Sequence, residues 1–277
     1  MKQIQAVTEQ LMNEDWRTTS LKALLDTLFF AGTHHVLAPC SSGVGAIFML
    51  HHVRPREESN AFAPGRYLEI TPDFLEQTIL CARKLGRDII SLDEVHRRLV
   101  QRDFDRKFVC FTLDDGYLDN FDYAFPVFRK HAVPFSVYLA TGLPAGTVAL
   151  WWQAMEEVIA GATAIDLTID GRRFQRATAT IGDKYRAFHE LDRLVRSLSP
   201  SQLGRVFEQL CTAGKIEPTT RCRNGAMTWD MLRQLAASGL ATIEAHTVNH
   251  VAVSKQTAEE VRADMERCCD TIAKEVG

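Results

Sequence analysis

The sequence has little net charge, no paired cysteine motif and no uninterrupted apolar segment of membrane-spanning length. Its 32 basic and 35 acidic residues give a formal net charge of −3 over 277 residues. A charge this small and negative does not favour binding to nucleic acid or to an anionic membrane. The seven cysteines are odd in number and none belongs to a C-x-x-C pair. We therefore expect reduced thiols, and neither a disulfide framework nor a thiolate metal site.

The N-terminal region lacks the features of a targeting segment. The first residues contain no apolar core followed by a small-residue cleavage site, so we predict no signal peptide and a cytoplasmic location. The most apolar early stretch, residues 21–37, is too short and too interrupted by polar residues to span a bilayer. Its leucines recur on one helical face. We predict a helical extension over residues 1–39 and one domain over residues 40–277.

From residue 44 onward, strand and helix signals alternate, which favours parallel strands joined by helical crossovers. The predicted strands are residues 44–53, 88–90, 108–113, 134–140 and 240–245. The predicted helices are residues 71–85, 91–99, 120–131 and 228–238, with a last one beginning at residue 257. Pro126 is expected to kink or split the helix that contains it.

Residues 142–226 interrupt this alternation, and we predict that they form an α/β insertion. Asp170-Gly171 lies between two runs of alternating apolar residues, which is typical of a hairpin. Two helices are predicted after it, at residues 185–198 and 200–211. Trp151 and Trp152 lead into a helix, where aromatic residues usually belong to a core; stacking against a sugar is the alternative.

Two acids, Asp114 and Asp115, follow the most apolar strand and precede Gly116. The glycine permits a sharp turn, so both carboxylates are expected at the carboxyl end of the strand. Adjacent carboxylates repel each other and burial adds to that cost, so a positive partner is expected nearby. His52 also ends a predicted strand. Such a histidine is more often structural, and lining a pocket is the alternative.

His246 and His250 follow the strand over residues 240–245 at a spacing of four. In helical or turn geometry this spacing places both imidazoles on one side. Together with Asp115 they form two histidines and one carboxylate, a ligand set of catalytic zinc and of several other divalent metals. Asp114 is then left as the base that takes a proton from water attacking a carbonyl. Each motif alone is weak, since such histidines are mostly structural and Asp-Asp-Gly is a common turn.

Both motifs resemble those of a known family. Residues 112–117, Thr-Leu-Asp-Asp-Gly-Tyr, resemble the first motif of the polysaccharide deacetylases (the NodB-homology family, carbohydrate esterase family four), which is usually Thr-Phe-Asp-Asp-Gly. Residues 246–250, His-Thr-Val-Asn-His, are similar to the second, His-Ser/Thr-x-x-His. The resemblance covers roughly residues 44–277 and leaves the N-terminal helices outside it.

The resemblance implies roles for four residues. Asp114 is the general base, and Asp115, His246 and His250 bind a divalent metal; zinc is expected, with cobalt, nickel and manganese as alternatives. The implied fold is α/β, a distorted (β/α)7 barrel. The implied reaction removes acetyl from an N-acetylated or O-acetylated saccharide. Residues 251–277 lack the family's later motifs, which supply an oxyanion-hole amide, pocket walls and a general acid, so we expect a barrel that is truncated at the C-terminus.

Two other functions share these residues. One is a non-catalytic relative that binds a saccharide or a partner and keeps the metal as a structural clip. The other is an iron oxygenase with two histidines and one carboxylate, which usually has a β-sandwich barrel and keeps its acid close to its first histidine. Here Asp115 lies far before His246, on a β/α background. An open sheet edge also favours self-pairing, so a homodimer is the expected assembly.

Overall fold

A computed structural model describes residues 20–33, 35–37, 43–56 and 61–277. Two compact units divide the chain, one over residues 1–45 and the other over residues 46–277. In the first unit, residues 20–30 are helical. The apolar side chains predicted to share one face of that helix are all exposed: Leu21, Leu24, Leu25, Leu28 and Phe29. The predicted extension over residues 1–39 lies partly outside the described residues, and its boundary stays a prediction.

The strands predicted around the two motifs are present in the second unit. The described strands are β1 (Gly45–Leu50), β2 (His52–Val53), β3 (Glu69–Ile70), β4 (Asp88–Ile89), β5 (Phe108–Asp115), β6 (Phe135–Leu139), β7 (Ala164–Ile169), β8 (Arg172–Ala177) and β9 (Ala241–Ala245). β5 is buried along its whole length, as its run of apolar residues predicts. The single strand predicted over residues 44–53 is divided into β1 and β2.

The main sheet confirms the α/β class with parallel strands. Its order is β1-β5-β6-β9, and β4 also pairs with β5. The pairings of β5 with β4 and β6, and of β6 with β9, are parallel. Among the described strands, β1 and β9 end the sheet and do not pair with each other, so they form no closed barrel. The parallel sheet is therefore confirmed, while the (β/α)7 barrel is not.

Helices connect these strands as predicted, and most of them begin at a capping side chain. The described helices are α1 (Pro72–Lys84), α2 (Leu92–Gln101), α3 (Phe125–Lys130), α4 (Gly142–Ala145), α5 (Trp151–Gly161), α6 (Ile181–Ser197), α7 (Pro200–Gly214), α8 (Pro218–Asn224), α9 (Trp229–Ala237) and α10 (Ala258–Glu275). The helix predicted over residues 120–131 is split, as expected from Pro126. A π-helical turn over Asn120–Ala124 is followed by α3, in which Pro126 is the second residue. In the described part of the chain, no helix has both the length and the apolar character needed to cross a membrane.

The main core lies between the sheet and helices α1, α3 and α9. Phe128 is fully buried and its ring stacks on Phe135 of β6 with ring centroids 4.4 Å apart. Phe111 of β5 also contacts Phe128, with ring centroids 5.5 Å apart. These contacts anchor β5 and β6 in the least exposed part of the protein. The carboxyl ends of these strands are therefore held in a fixed relation to each other.

The insertion has a core of its own. The antiparallel pair β7–β8 confirms the predicted hairpin, with Asp170 and Gly171 both at positive φ in the turn. Its apolar side chains pack with those of α5, α6 and α7. Trp151 packs at the edge of this cluster. The hairpin and its two helices are confirmed, although α6 begins earlier than predicted and α8 was not predicted. The limits at residues 142 and 226 stay a prediction.

Candidate metal centre

Asp114 and Asp115 are the last two residues of β5, whereas the sequence predicted that the strand would end before them. Successive residues of a strand point to opposite faces, so the two carboxylates leave the backbone in different directions. Asp115 has φ of 74° and Gly116 has φ of 97°. Such a left-handed conformation is strained for a non-glycine residue and is typical of functional sites. The chain thus turns away at the point where the two acids are presented.

His246 and His250 lie on the turn that follows β9, and several bonds fix that turn. The His246 N–H donates to the Leu139 carbonyl at 3.0 Å, and the Gly142 N–H donates to the Val248 carbonyl at 2.7 Å. From the last helix, a buried carboxylate oxygen of Asp264 accepts the Val248 N–H at 2.9 Å. The two histidines therefore belong to a turn that is held by the end of β6, by α4 and by α10.

The structure brings Asp115, His246 and His250 together. The Oδ1 atom of Asp115 lies 3.1 Å from His250 Nε2 and 3.5 Å from His246 Nε2. Each residue offers one ligand atom, and these atoms all lie within 4.8 Å of one another. Asp115 is only 3% exposed, and its Oδ1 has no hydrogen-bond donor. A buried carboxylate oxygen that has no donor and faces two imidazole nitrogens fits a divalent cation of the zinc class.

The electrostatic surroundings keep the Asp115 carboxyl ionised. Burial acts against its ionisation, but its interactions with His246, His250 and Tyr117 outweigh burial and hold the pKa of this carboxyl well below its usual range. The reciprocal interaction with Asp115 raises the pKa of His246 above its ordinary value. A carboxylate that is fully ionised is the form that ligates a metal. The predicted positive partner of the two acids is therefore the histidine pair.

Asp114 lies beside this cluster in a different environment. Burial raises the pKa of its carboxyl, and the neighbouring charge of Asp115 raises it further, while His246 and His51 act in the opposite direction. A carboxylate whose pKa is raised is a better proton acceptor. Outside the cluster, His51 also approaches this carboxylate, and its Nε2 lies 4.0 Å from Asp114 Oδ2. We predicted no role for His51 from the sequence, although its position near the end of a predicted strand is compatible with a site residue.

A cavity of about 660 Å³ adjoins residues that contact the metal cluster, although none of the two acids and two histidines lines it. Tyr117 and Trp152 line it, and the Trp152 ring lies 5.1 Å from the His250 ring. His52 also lines it, and its Nδ1 is hydrogen-bonded to Asp119 Oδ2 at 2.6 Å, so both interpretations of that histidine agree with the structure. Charged residues cover much of the remaining wall: Arg54, Arg56, Glu69, Asp119, Asp122, Glu156, Glu157 and Arg221. No sequence pattern indicates this wall, because its residues come from five separate segments.

Comparison with known proteins gives a family match over part of the chain. The model of the polysaccharide deacetylase family matches residues 211–277, which include both histidines and α10. No curated protein sequence matches the chain.

Three solved structures give fold comparisons. A Streptococcus pyogenes deacetylase, PplD, solved with acetate, is 15% identical, with 83% of this chain and 68% of that one covered at a TM-score of 0.49. IcaB from Ammonifex degensii is 16% identical, with 84% and 70% covered at a TM-score of 0.47. A de-N-acetylase from Aggregatibacter actinomycetemcomitans is 13% identical, with 84% and 75% covered at 0.46. TM-scores below 0.5 do not establish a common fold.

The family match contains one of the two sequence motifs. The His-Thr-Val-Asn-His motif lies inside the matched residues 211–277. The Asp-Asp-Gly motif lies outside them, and the fold carries it to within hydrogen-bonding distance of the histidines. The predicted resemblance is thereby confirmed, in that residues 211–277 match the model of the polysaccharide deacetylase family.

Proposed function

We propose that this chain is a metal-dependent deacetylase that hydrolyses the acetamide of an N-acetylated saccharide, with an O-acetyl ester as the alternative linkage. The observation that carries the proposal is the convergence of Asp115, His246 and His250 on a buried carboxylate oxygen that has no donor, beside the second carboxylate of Asp114. The family match over residues 211–277 supports a saccharide as the substrate.

The four residues have two roles: three bind the cation and one is the base. Asp115, His246 and His250 hold the cation, for which zinc is the expected metal and cobalt, nickel and manganese are alternatives. When bound, a divalent cation supplies Lewis acidity, which lowers the pKa of water and polarises a carbonyl. Asp114 takes the proton of the attacking water, because it is the remaining carboxylate at this edge and its pKa is raised by burial.

The reaction balances with water as its only co-substrate. The water oxygen forms a bond to the acetyl carbonyl carbon, and one water proton passes to the Asp114 carboxylate. The carbon–nitrogen bond then breaks, the departing sugar nitrogen gains the proton that Asp114 took from water, and acetate and a free amine are released. For an O-acetyl substrate, the carbon–oxygen bond breaks and a hydroxyl is released.

The cavity beside the cluster suits a saccharide chain that extends from the reacting unit. Its volume of about 660 Å³ lies within the range of small-molecule sites. Trp152 and Tyr117 present aromatic faces, on which sugar rings stack. Arg221 and Glu157 form an ion pair at 2.8 Å on the same wall, and such a pair offers both donors and acceptors to hydroxyl groups. We infer that sugar units next to the acetylated one contact this wall.

The test is acetate release from N-acetylglucosamine oligosaccharides by the zinc-loaded protein. We expect acetate in proportion to enzyme, its loss after chelation, and its return when zinc is added back. We also expect longer oligosaccharides to have higher kcat/KM than the monosaccharide, because they reach the cavity. Acetate release that is unchanged by complete chelation would contradict the metal-dependent mechanism.

The same assay separates the alternatives. Zinc binding without release of acetate from N-acetylated or O-acetylated saccharides supports the non-catalytic relative. Turnover that requires oxygen and 2-oxoglutarate supports the iron oxygenase. We further propose that the open sheet is the incomplete form of a distorted (β/α)7 barrel. The cytoplasmic location and the homodimer stay predictions.

A further inference from the structure

The turn that carries the two histidines has a strained backbone. Thr247 has φ of 64° and His250 has φ of 52°, and both values lie in the left-handed region that favours glycine. A β-branched residue such as Thr247 rarely adopts this conformation. Strained residues of this kind persist only where the surrounding structure holds them. The turn therefore depends on partners outside itself to keep its two imidazoles in place.

The last helix, α10, holds one peptide group of this turn at both of its polar ends. This peptide group joins Thr247 to Val248. Its N–H, on Val248, donates to Asp264 Oδ2 at 2.9 Å. Its carbonyl, on Thr247, accepts a hydrogen bond from the Cys268 thiol with a sulfur–oxygen distance of 3.1 Å. The plane of the peptide group therefore cannot rotate without breaking one of these hydrogen bonds.

Asp264 and Cys268 are suited to this contact by their positions on the helix. They are four residues apart, and residues at this spacing lie on one face of a helix, one turn apart. They are also the two buried residues of α10, which has 18 residues in all. A helix that only covered a sheet would bury apolar side chains. α10 instead buries a carboxylate and a thiol, and both are bonded to the histidine turn.

Further contacts connect these two side chains to their surroundings. The Cys268 sulfur lies 3.6 Å from the Leu139 carbonyl oxygen, which also accepts the His246 N–H at 3.0 Å. The thiol thus lies where the end of β6 meets the start of the histidine turn. The exposed Arg267 donates to Asp264 Oδ1 at 3.2 Å and supplies a positive charge. Both oxygens of the buried Asp264 carboxylate therefore have partners, as burial of a charged group requires.

We propose that Asp264 and Cys268 are positioning residues for the metal centre, and that they act by fixing the peptide group between the two histidines. This inference rests on the proposed function, since it assumes that Asp115, His246 and His250 bind a metal. Neither positioning residue belongs to the two sequence motifs. Helix α10 is thus a third part of the site, beside the two motifs that supply the ligands and the base.

The physical argument concerns the backbone, because burial does not hold the imidazoles. The side chains of His246 and His250 are 33% and 34% exposed, and their ring centroids lie 5.2 Å apart. Their separation is therefore set by the main chain of the turn. Groups that orient metal ligands change metal affinity by roughly 10- to 100-fold when they are removed. A residue with only a structural role would lower the melting temperature of the metal-free protein and leave the affinity of the folded protein unchanged.

The first test is the zinc dissociation constant of the full chain, measured by competition with a chromophoric chelator at a temperature where each metal-free variant is folded. We expect Asp264→Ala to weaken zinc binding by roughly 10- to 100-fold, because the Val248 N–H loses its acceptor. Asp264→Asn should stay close to the wild type, because its amide oxygen can still accept that N–H. Both variants lose the charge that pairs with Arg267, so the difference between them isolates the bond to the turn.

The second test uses cysteine variants and does not depend on the folding of Asp264→Ala. Cys268→Ala should also weaken zinc binding, by less than Asp264→Ala does, because a thiol is a weak donor. Cys268→Ser keeps a donor and should restore the wild-type affinity. Cys269→Ala is the matched control, because Cys269 is the next residue of α10 and is exposed. Its affinity should equal that of the wild type.

The two tests separate failure of this inference from failure of the proposed function. If either folded alanine variant, Asp264→Ala or Cys268→Ala, binds zinc as tightly as the wild type, the inference is overturned for that residue and the proposed function is left intact. A wild type that binds no zinc would contradict both.

Discussion

Replacing Asp114 by asparagine is expected to lower kcat for acetate release by roughly 10²- to 10⁴-fold, the range that a positioned general base contributes. Asparagine has nearly the same shape as aspartate but cannot take a proton from water. Asp114 is 8% exposed and lies beside the metal cluster without belonging to it. Zinc content should therefore stay at the wild-type level, so that loss of the base is separated from loss of the metal.

The measurement is steady-state acetate release together with zinc content for each variant. Asp105→Asn is a matched control, because Asp105 is exposed and lies just before the amino end of β5, the end opposite to the site. It should leave both quantities unchanged. If Asp114→Asn retained most of its activity, the base would have to be another group, and His51, 4.0 Å from Asp114, would be the first to replace.

Replacing Gly116 by alanine is expected to lower the free energy of unfolding by roughly 2–5 kcal/mol. Gly116 has φ of 97°, a conformation that an L-residue adopts only with strain. A Cβ atom at this position would lie 2.5 Å from Leu139 Cδ1, and Leu139 is fully buried in β6. Both the backbone strain and the overlap therefore act on the turn that presents Asp115.

Chemical denaturation of the metal-free protein measures this effect, and Gly171→Ala is the matched control. Gly171 also has a positive φ, of 73°, but nothing lies within 4 Å of an added Cβ atom. The free energy of unfolding of Gly171→Ala should fall only by the contribution of backbone strain, about 1–2 kcal/mol. If both variants lost the same free energy of unfolding, the Leu139 side chain would have moved aside without lowering stability, which would contradict the expected overlap.

The sequence predicted the parts of this molecule whose signals are local. The apolar run of β5, the capping residues of α1 and α10, and the turn at Asp170-Gly171 each determine a short segment by themselves. The metal cluster was also predictable, because two motifs at the ends of parallel strands meet at one edge of the sheet. The structure brings these residues together, and their chemical roles stay predictions.

Features that depend on several distant segments were not predictable. The cavity wall joins residues from β2 and β3, the loop after β5, α5 and α8, and no pattern within any one segment indicates this. His51 acquires its importance only from a neighbour that the fold supplies, the carboxylate of Asp114. Local sequence patterns also do not predict whether the sheet closes. Closure into a barrel depends on how the first and last strands meet.

The central claim is that Asp115, His246 and His250 form one metal site, and the most direct test is zinc content after equilibrium dialysis. The wild type is expected to retain about one zinc ion per chain, whereas Asp115→Ala and His246→Ala should retain none, because each removes one of three ligands. A wild type without zinc, or variants that retain as much as the wild type, would contradict the account.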